Sequence, residues 1–278
     1  MAEITAAAVR QLRDKTGLPM MDCKNALNAS SGDEAGAIEW LRKNAQSKFE
    51  TRTDRETAFG RFGLHSGADK TVGAIVELKC ESAPVAGSPD FIAFLDDIVA
   101  ALVKSDKTPA NVDELLALPS TKHPGKSLAD VKLDLFNRIR EVFNVGRFKK
   151  IKGASGGYSH NAGTVSGVLL EIEGGNDAAA KDVCMHVAAM RPIALDKDAV
   201  DPAIVDKERE ALKEAALKEG KPANIVDKMV EGRLRNFYAE RVLTEQPFVK
   251  DDKQTVGKYS ESHKMKLKGF THWELGVG

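Results

Sequence analysis

Two stretches of this chain repeat one another, and the repetition constrains the fold more than any single motif does. Residues 63–79, GLHSGADKTVGAIVELK, and residues 157–173, GYSHNAGTVSGVLLEIE, each place a histidine before a glycine-containing turn, then a glycine, then aliphatic residues closed by glutamate. Gly73, Ile75, Val76 and Glu77 answer to Gly167, Leu169, Leu170 and Glu171. Such runs on either side of a turn read as β-hairpins. Each hairpin precedes a helix with an apolar face, at 91–102 and 179–190, and both helices carry Val-Ala-Ala, at 99–101 and 187–189. One hairpin under one helix buries too little to stand alone, so two related α+β units are expected to pack into a shared core.

Around that core the chain changes character. Residues 1–41 read as three short helices: Thr5 caps the first, which turns Val9 and Leu12 inward and stops at Gly17. Pro19 opens the second, with Met20, Cys23, Ala26 and Leu27 inward, and Asp33 caps the third, with Ala37, Ile38 and Leu41 as its stripe. Residues 42–61 are charged and nearly free of large apolar side chains, the composition of a tether, helical or extended, on which the module is free to move. A helical connector lies between the repeats, where Val131, Leu135, Ile139 and Phe143 recur at helical spacing. In 201–243, Asp201 and Pro202 start a helix through Ile204, Leu212 and Leu217 that ends at Gly220 and Pro222. A second follows with Ile225, Val226, Met229, Val230, Leu234 and Phe237, giving an antiparallel helical hairpin with a solvated outer face.

Composition narrows the partners. Lys+Arg and Asp+Glu both number 41, so no net field draws the chain to DNA or an anionic membrane. No apolar run approaches the roughly 20 residues that cross a bilayer, and the opening MAEITAAAVR lacks a signal-peptide core, which points to the cytoplasm. Cys23, Cys80 and Cys184 are odd in number and widely spaced, against a disulfide framework or a zinc site.

Catalytic patterns are weak. GASGG at 153–157 matches G-x-S-x-G, yet a basic segment enters and a hairpin strand leaves, so Ser155 lacks the strand-turn-helix context of a nucleophile. No phosphate-binding glycine loop occurs, so no nucleotide is expected to bind this chain directly. The histidines show no metal-ligand spacing; His65 and His160 occupy equivalent turns, a structural placement, while His186 reads equally as a core histidine or a contact residue. Residues 138–152 hold six Lys/Arg against one Glu, a solvated basic face in preference to an RNA site.

The segment TGLPMMDCKNAL at 16–27, preceded by Leu12-Arg13, resembles the amino-terminal signature of the bacterial elongation factor Ts family. The resemblance continues through HVAAMRP, VEGRLRNFYAE, EQPFVKD and the closing GFTHWELGVG, so it covers essentially the whole chain. It implies a translation factor with no covalent chemistry and no cofactor or metal of its own. The expected activity is guanine-nucleotide exchange on elongation factor Tu: binding of the GDP-bound and nucleotide-free partner, and GDP release through disturbance of its Mg²⁺ and phosphate site. It also implies an α+β fold: a three-helix module at 1–41 similar to a ubiquitin-associated domain, the tether at 42–61, and core subdomains at 62–152 and 153–278, the second carrying the helical hairpin 201–243.

The implied partner contacts are Leu12, Arg13, Met20, Met21, Asp22 and Lys24 in the module, and Ser82, Ala83, Pro84, Val85 and Ala86 in the loop that presses toward the partner's Mg²⁺. Ile139, Arg140, His160 and His186 are carried as contacts of the core. The chain departs from the family at several of these. The family loop reads C-Q-T-D-F-V-A, but here Ser82 replaces Thr, Ala83 replaces Asp and Pro84 replaces Phe, with Cys80, Val85 and Ala86 in place. Ile139 and Glu141 match the connector, Arg140 takes a glycine place, only Arg147 of an arginine pair remains, and His272 stands where arginine is usual. The lost Asp-Phe pair leaves a non-exchanging Tu-binding scaffold or inhibitor as the alternative, with an RNA-binding ribosome-associated protein behind it. Self-association as a homodimer stays open.

Overall fold

The computed structural model describes residues 4–52, 54–161, 163–219 and 222–276. Among these the chain is α+β, with eleven α-helices, two three-stranded sheets and one two-stranded sheet. It divides into two compact units. One takes the described residues up to Gly63 together with Val76–Lys149, and the other takes Leu64–Ile75 and the chain from Lys150 onward.

The first unit opens with α1 (Ala6–Thr16), α2 (Met20–Ala29) and α3 (Glu34–Glu50). Thr5 accepts a hydrogen bond from Ala8 N, Asp33 accepts one from Gly36 N, and Gly17 closes α1 in the left-handed region at φ 68°. Val9, Leu12, Leu18, Cys23, Ala26, Leu27, Ala37 and Leu41 form the small core. Met20 and Ile38, expected inward, are instead 41% and 43% exposed. A ten-residue α2 has one stretch to bury, and Cys23, Ala26 and Leu27 occupy it.

Where the sequence reads a free tether, α3 continues to Glu50 and is held. Ala37, Leu41, Ala45 and Phe49 recur every fourth residue, a stripe that the charged composition hides. Phe49 meets Phe136 edge-on at 5.2 Å between ring centroids, Lys132 Nζ lies 4.8 Å over the Phe49 ring, and Arg42 pairs with Asp130.

There follow β1 (Phe59–His65), β2 (Val72–Cys80), the four-residue α4 (Ala83–Ala86), α5 (Pro89–Lys104), α6 (Val112–Leu116), α7 (Leu128–Ile139) and β3 (Phe143–Lys152), with sheet order β1-β2-β3. Ser127 and Asp130 form a reciprocal capping box at the start of α7. The helix stops at Ile139 because Arg140 turns left-handed, so Phe143, expected on the helix stripe, belongs to β3 and packs 5.8 Å from Phe91 of α5. Strand β3 is most of the stretch read as a basic face.

The second unit contains β4 (Ser155–His160), β5 (Ser166–Gly174), α8 (Asp177–Met190), α9 (Pro202–Lys218), α10 (Ala223–Arg241), β6 (Pro247–Phe248), β7 (Asp251–Thr255), α11 (Val256–Ser262) and β8 (Met265–Glu274). Antiparallel β4, β5 and β8 pair in that order, with Gly157 opposite Leu169 and Val168 opposite His272. Val168, Leu170 and Ile172 of β5 face Ala180, Val183, Cys184 and Val187 of α8 in one cluster. The hairpin α9–α10 buries Ala216, Val226, Val230 and Leu234, while Ile204, Leu217 and Ile225 stay exposed. Gly220, read as the end of α9, lies outside the described residues.

Candidate functional site

Strand β2 carries the chain to the surface. Its last residue, Cys80, is fully buried and donates from Sγ to Ser82 O at 3.2 Å; burial pushes its thiol up to about 11. Ser82 is extended and its Oγ donates to Glu141 Oε1 at 2.6 Å. Ala83–Ala86 then close one helical turn, with Ala86 N donating to Ser82 O at 3.1 Å and Gly87 N to Ala83 O at 3.2 Å. Ala86 is buried beneath the turn, Val85 is half-buried, and Ala83 and Pro84 form an exposed apolar tip without a charge or side-chain donor.

The turn after α7 backs this segment. Arg140 has φ 67° and ψ 16°, a conformation that costs a residue with a Cβ about 1–2 kcal/mol. Its Nη2 donates to Asp22 Oδ2, and its carbonyl accepts from Arg52 Nη1 at 3.2 Å. Val142 N donates to Glu81 Oε1 at 2.8 Å, and Glu81 Oε2 pairs with Arg55 at 2.9 Å. The second carboxylate oxygen of Glu141, Oε2, is buried without a hydrogen-bond partner. Sequence reading missed Glu81, Arg52 and Arg55 altogether, since nothing local announces partners 26 to 88 residues apart.

Farther along the sheet, Glu77 is 3% exposed and accepts a two-pronged grip from Arg147, Nε at 3.1 Å and Nη2 at 2.9 Å. One cation of the basic run is therefore tied to a buried carboxylate, and Lys149 and Lys150 also have partners.

The module residues divide by exposure. Met21 is 62% exposed, and Met20 and Lys24 are exposed beside it, a flexible apolar pair with a cation. Arg13 is exposed and paired with Asp14 at 2.7 Å. Leu12 is fully buried in the module's own core and presents no atoms outward. Ile139 is half-buried.

In the second unit His160 is exposed at the end of β4, with Nδ1 3.0 Å from Tyr158 Oη. His186 is fully enclosed: Nδ1 accepts from Val249 N at 3.1 Å and Nε2 lies 2.9 Å from Gln246 Oε1, whose amide donates to Met190 O and Glu240 O. The Val249 bond places the ring proton on Nε2, and burial holds the pKa below the usual imidazole value, partly countered by Gln246. His186 is thus a satisfied core histidine that anchors the 246–249 segment. His272 of β8 is held below the usual value by burial, and the Arg191 charge acts in the same direction against Glu274. Ser155 is the buried first residue of β4, with no helix leaving it.

Among the described residues, no group of three or more His, Cys, Asp or Glu side chains is placed to share a metal ion, and no helix is long and apolar enough to cross a membrane. What the surface offers is a stiff apolar tip, a pair of exposed methionines and the turn that links their supports.

The family model described as Elongation factor TS matches residues 84–277. Elongation factor Ts of Methylococcus capsulatus is 40% identical over 279 residues, covering 99% of this chain and 93% of the relative. The Hyphomonas neptunium protein of the same name is 41% identical over 287 residues, covering 100% and 94%, and that of Bordetella petrii is 41% identical over 278 residues, covering 100% and 93%. With the family model over most of its length and relatives aligned from end to end, the chain belongs to the elongation factor Ts family of translation elongation factors.

Proposed function

We propose that this chain is a cytoplasmic guanine-nucleotide exchange factor that binds elongation factor Tu and speeds GDP release by disturbing the partner's Mg²⁺ and phosphate site. In this reading the amino-terminal three helices are the ubiquitin-associated-like docking module, the two repeats form the gripping core, and α9–α10 is its inserted hairpin. The observation that carries it is the Ala83-Pro84 tip. An apolar knob is held stiffly at the end of a buried strand by Cys80, Ser82 and Glu141, as a part that presses on another surface requires.

The energetics need no reactive group. A factor that binds the empty partner more tightly than the GDP-bound one weakens GDP by the same ratio, because the binding cycle must close. Shape alone can supply the difference if the tip fits only the distorted site, and a preorganised proline turn loses little entropy in doing so.

The test is GDP release from the cognate Tu, followed with labelled nucleotide, by wild type and by a Pro84→Ala, Val85→Ala variant. Wild type is expected to speed release, and the variant to lose at least tenfold of that acceleration, on the order of the 1–3 kcal/mol typical of coupling between sites. A variant as fast as wild type reduces residues 82–86 to a connector. A wild type that binds Tu yet leaves release unchanged makes the chain a non-exchanging scaffold.

A further inference from the structure

We propose that Arg140 is a positioning residue: it clamps the amino-terminal module to the support of the 82–86 tip, so that both meet the partner as one preorganised surface. The proposal rests on the exchange-factor reading and adds to it the device that sets the geometry between its two contact regions.

Three observations meet in three consecutive residues. Arg140 ends α7 in the left-handed region, where glycine would sit without strain and arginine does not. A side chain that brings strain to a turn must return something through its own contacts. Its guanidinium reaches Asp22 in the first turn of α2, where the helix dipole already favours a carboxylate, and its carbonyl accepts from Arg52 just beyond α3. One residue therefore ties the module at α2 and the chain just beyond α3, 30 positions apart.

The next two residues tie the other region. Glu141 accepts from Ser82 at the base of the tip, and Val142 N donates to Glu81, one position earlier. The 140–142 turn is thus a common support for α2, with its exposed Met20 and Met21, and for the exposed Ala83 and Pro84. Arg140 and Asp22 are 31% and 29% exposed, so their attraction is screened less than that of an open surface pair.

The consequence for binding is an effective-concentration effect. Two contact regions fixed relative to one another dock in a single event, whereas a loosened module must be ordered at the cost of affinity. Losing the clamp should raise the concentration of factor needed much more than it lowers the rate at saturation.

Three variants test this: Arg140→Gly, which suits the turn and keeps the fold; Asp22→Arg, which places two cations together; and the double exchange Arg140→Asp, Asp22→Arg, which restores the pair with a residue that tolerates the left-handed region. Two measurements are made on full-length protein: GDP release from Tu against factor concentration, and the rate of trypsin cleavage after Arg52 and Arg55 in the free protein. Each single variant is expected to raise the half-saturating concentration about tenfold, a loss of about 1.4 kcal/mol, with a smaller fall in the saturating rate. Trypsin cleavage should quicken several-fold, and the double exchange should recover most of both losses. Single variants within twofold of wild type in both measurements overturn the proposal, as does a double exchange no better than the singles, which would mean that Arg140 or Asp22 acts by touching the partner itself. If wild type does not speed GDP release, the exchange-factor reading fails separately, and cleavage unchanged in Arg140→Gly then overturns the clamp.

Discussion

The first repeat uses residues 81–88 to pass from β2 to α5, whereas the second passes from β5 to α8 through Gly175 and Asn176 alone. Both connections end on a side-chain cap, Ser88 Oγ accepting from Phe91 N at 3.3 Å and Asn176 Oδ1 accepting from Ala179 N at 2.9 Å, so the joint is of one kind. The short version needs Gly174 and Gly175 at φ 73° and 76° to turn at once into the helix. The long version has no positive φ; it closes a helical turn instead and exposes Ala83 and Pro84 at its top. The hairpin and following helix recur in both halves, and the longer joint, with its exposed helical turn, belongs to the first alone. The sheets differ too: Glu77 is buried and gripped by Arg147, while its counterpart Glu171 is half-buried.

The strongest challenge to this asymmetry is to remove the buried pair. Arg147→Ala strands the Glu77 charge and should cost about 3 kcal/mol in urea unfolding, whereas Glu171→Gln should cost about 1 kcal/mol or less. Equal losses would mean that the two sheets are stabilised alike. The joints come next. A Cβ at Gly175 would stand 2.7 Å from Met265 Cβ in a left-handed backbone, so Gly175→Ala should cost at least about 1–2 kcal/mol. Gly87, at φ −89° with nothing closer than 3.6 Å, should accept alanine with a gain of up to about 0.5 kcal/mol from the stiffer unfolded chain.

The smallest effect is a difference in acid sensitivity between α5 and α8. His186 has a folded pKa below its ordinary 6.5, so it favours the folded state in its neutral form. That contribution is whole above pH 6.5 and is lost as pH falls from there toward the folded value. Asp97 of α5 is desolvated, which alone would raise its pKa, but hydrogen bonds from Ser120 Oγ, Thr121 N and Oγ1, and Lys122 N outweigh burial and hold it below 3.8. Its contribution is present above pH 3.8 and is lost only below it. Unfolding free energies between pH 7.5 and 5 should therefore fall with a slope that His186→Gln reduces to the share of His272 and that Asp97→Asn leaves in place.

Much of this was legible along the chain. The duplicated hairpins, the helices that follow them and the caps at Thr5, Asp33 and Asp201 rest on short-range chemistry, and the structure has each of them. The third strand of each sheet was not. Strand β3 reads as a basic run because its partners lie on β2, and β8 joins β5 across 90 residues, so neither shows its pairing in its own residues. Of the expected contacts, Met20, Met21, Arg13, Lys24, Ala83, Pro84 and His160 lie at the surface, while Leu12 and His186 are enclosed in apolar and hydrogen-bonded interiors. A helical stripe marks a residue as amphipathic but does not say which neighbour will cover it, as Met20 and Ile38 show by remaining exposed.

By itself the order of residues indicated the caps that start several helices, the two similar stretches of hairpin and helix, and which family the chain resembles. These depend on periodicity, caps and turns that act within a few positions. Only the tertiary structure decided that α3 docks along α7 through Phe49 and Phe136, that Arg140 adopts a glycine-like turn to reach Asp22, and that Glu141 supports Ser82. Those contacts join segments 59 to 118 residues apart, and their energy exists only once the backbone has brought both partners together and removed the water between them.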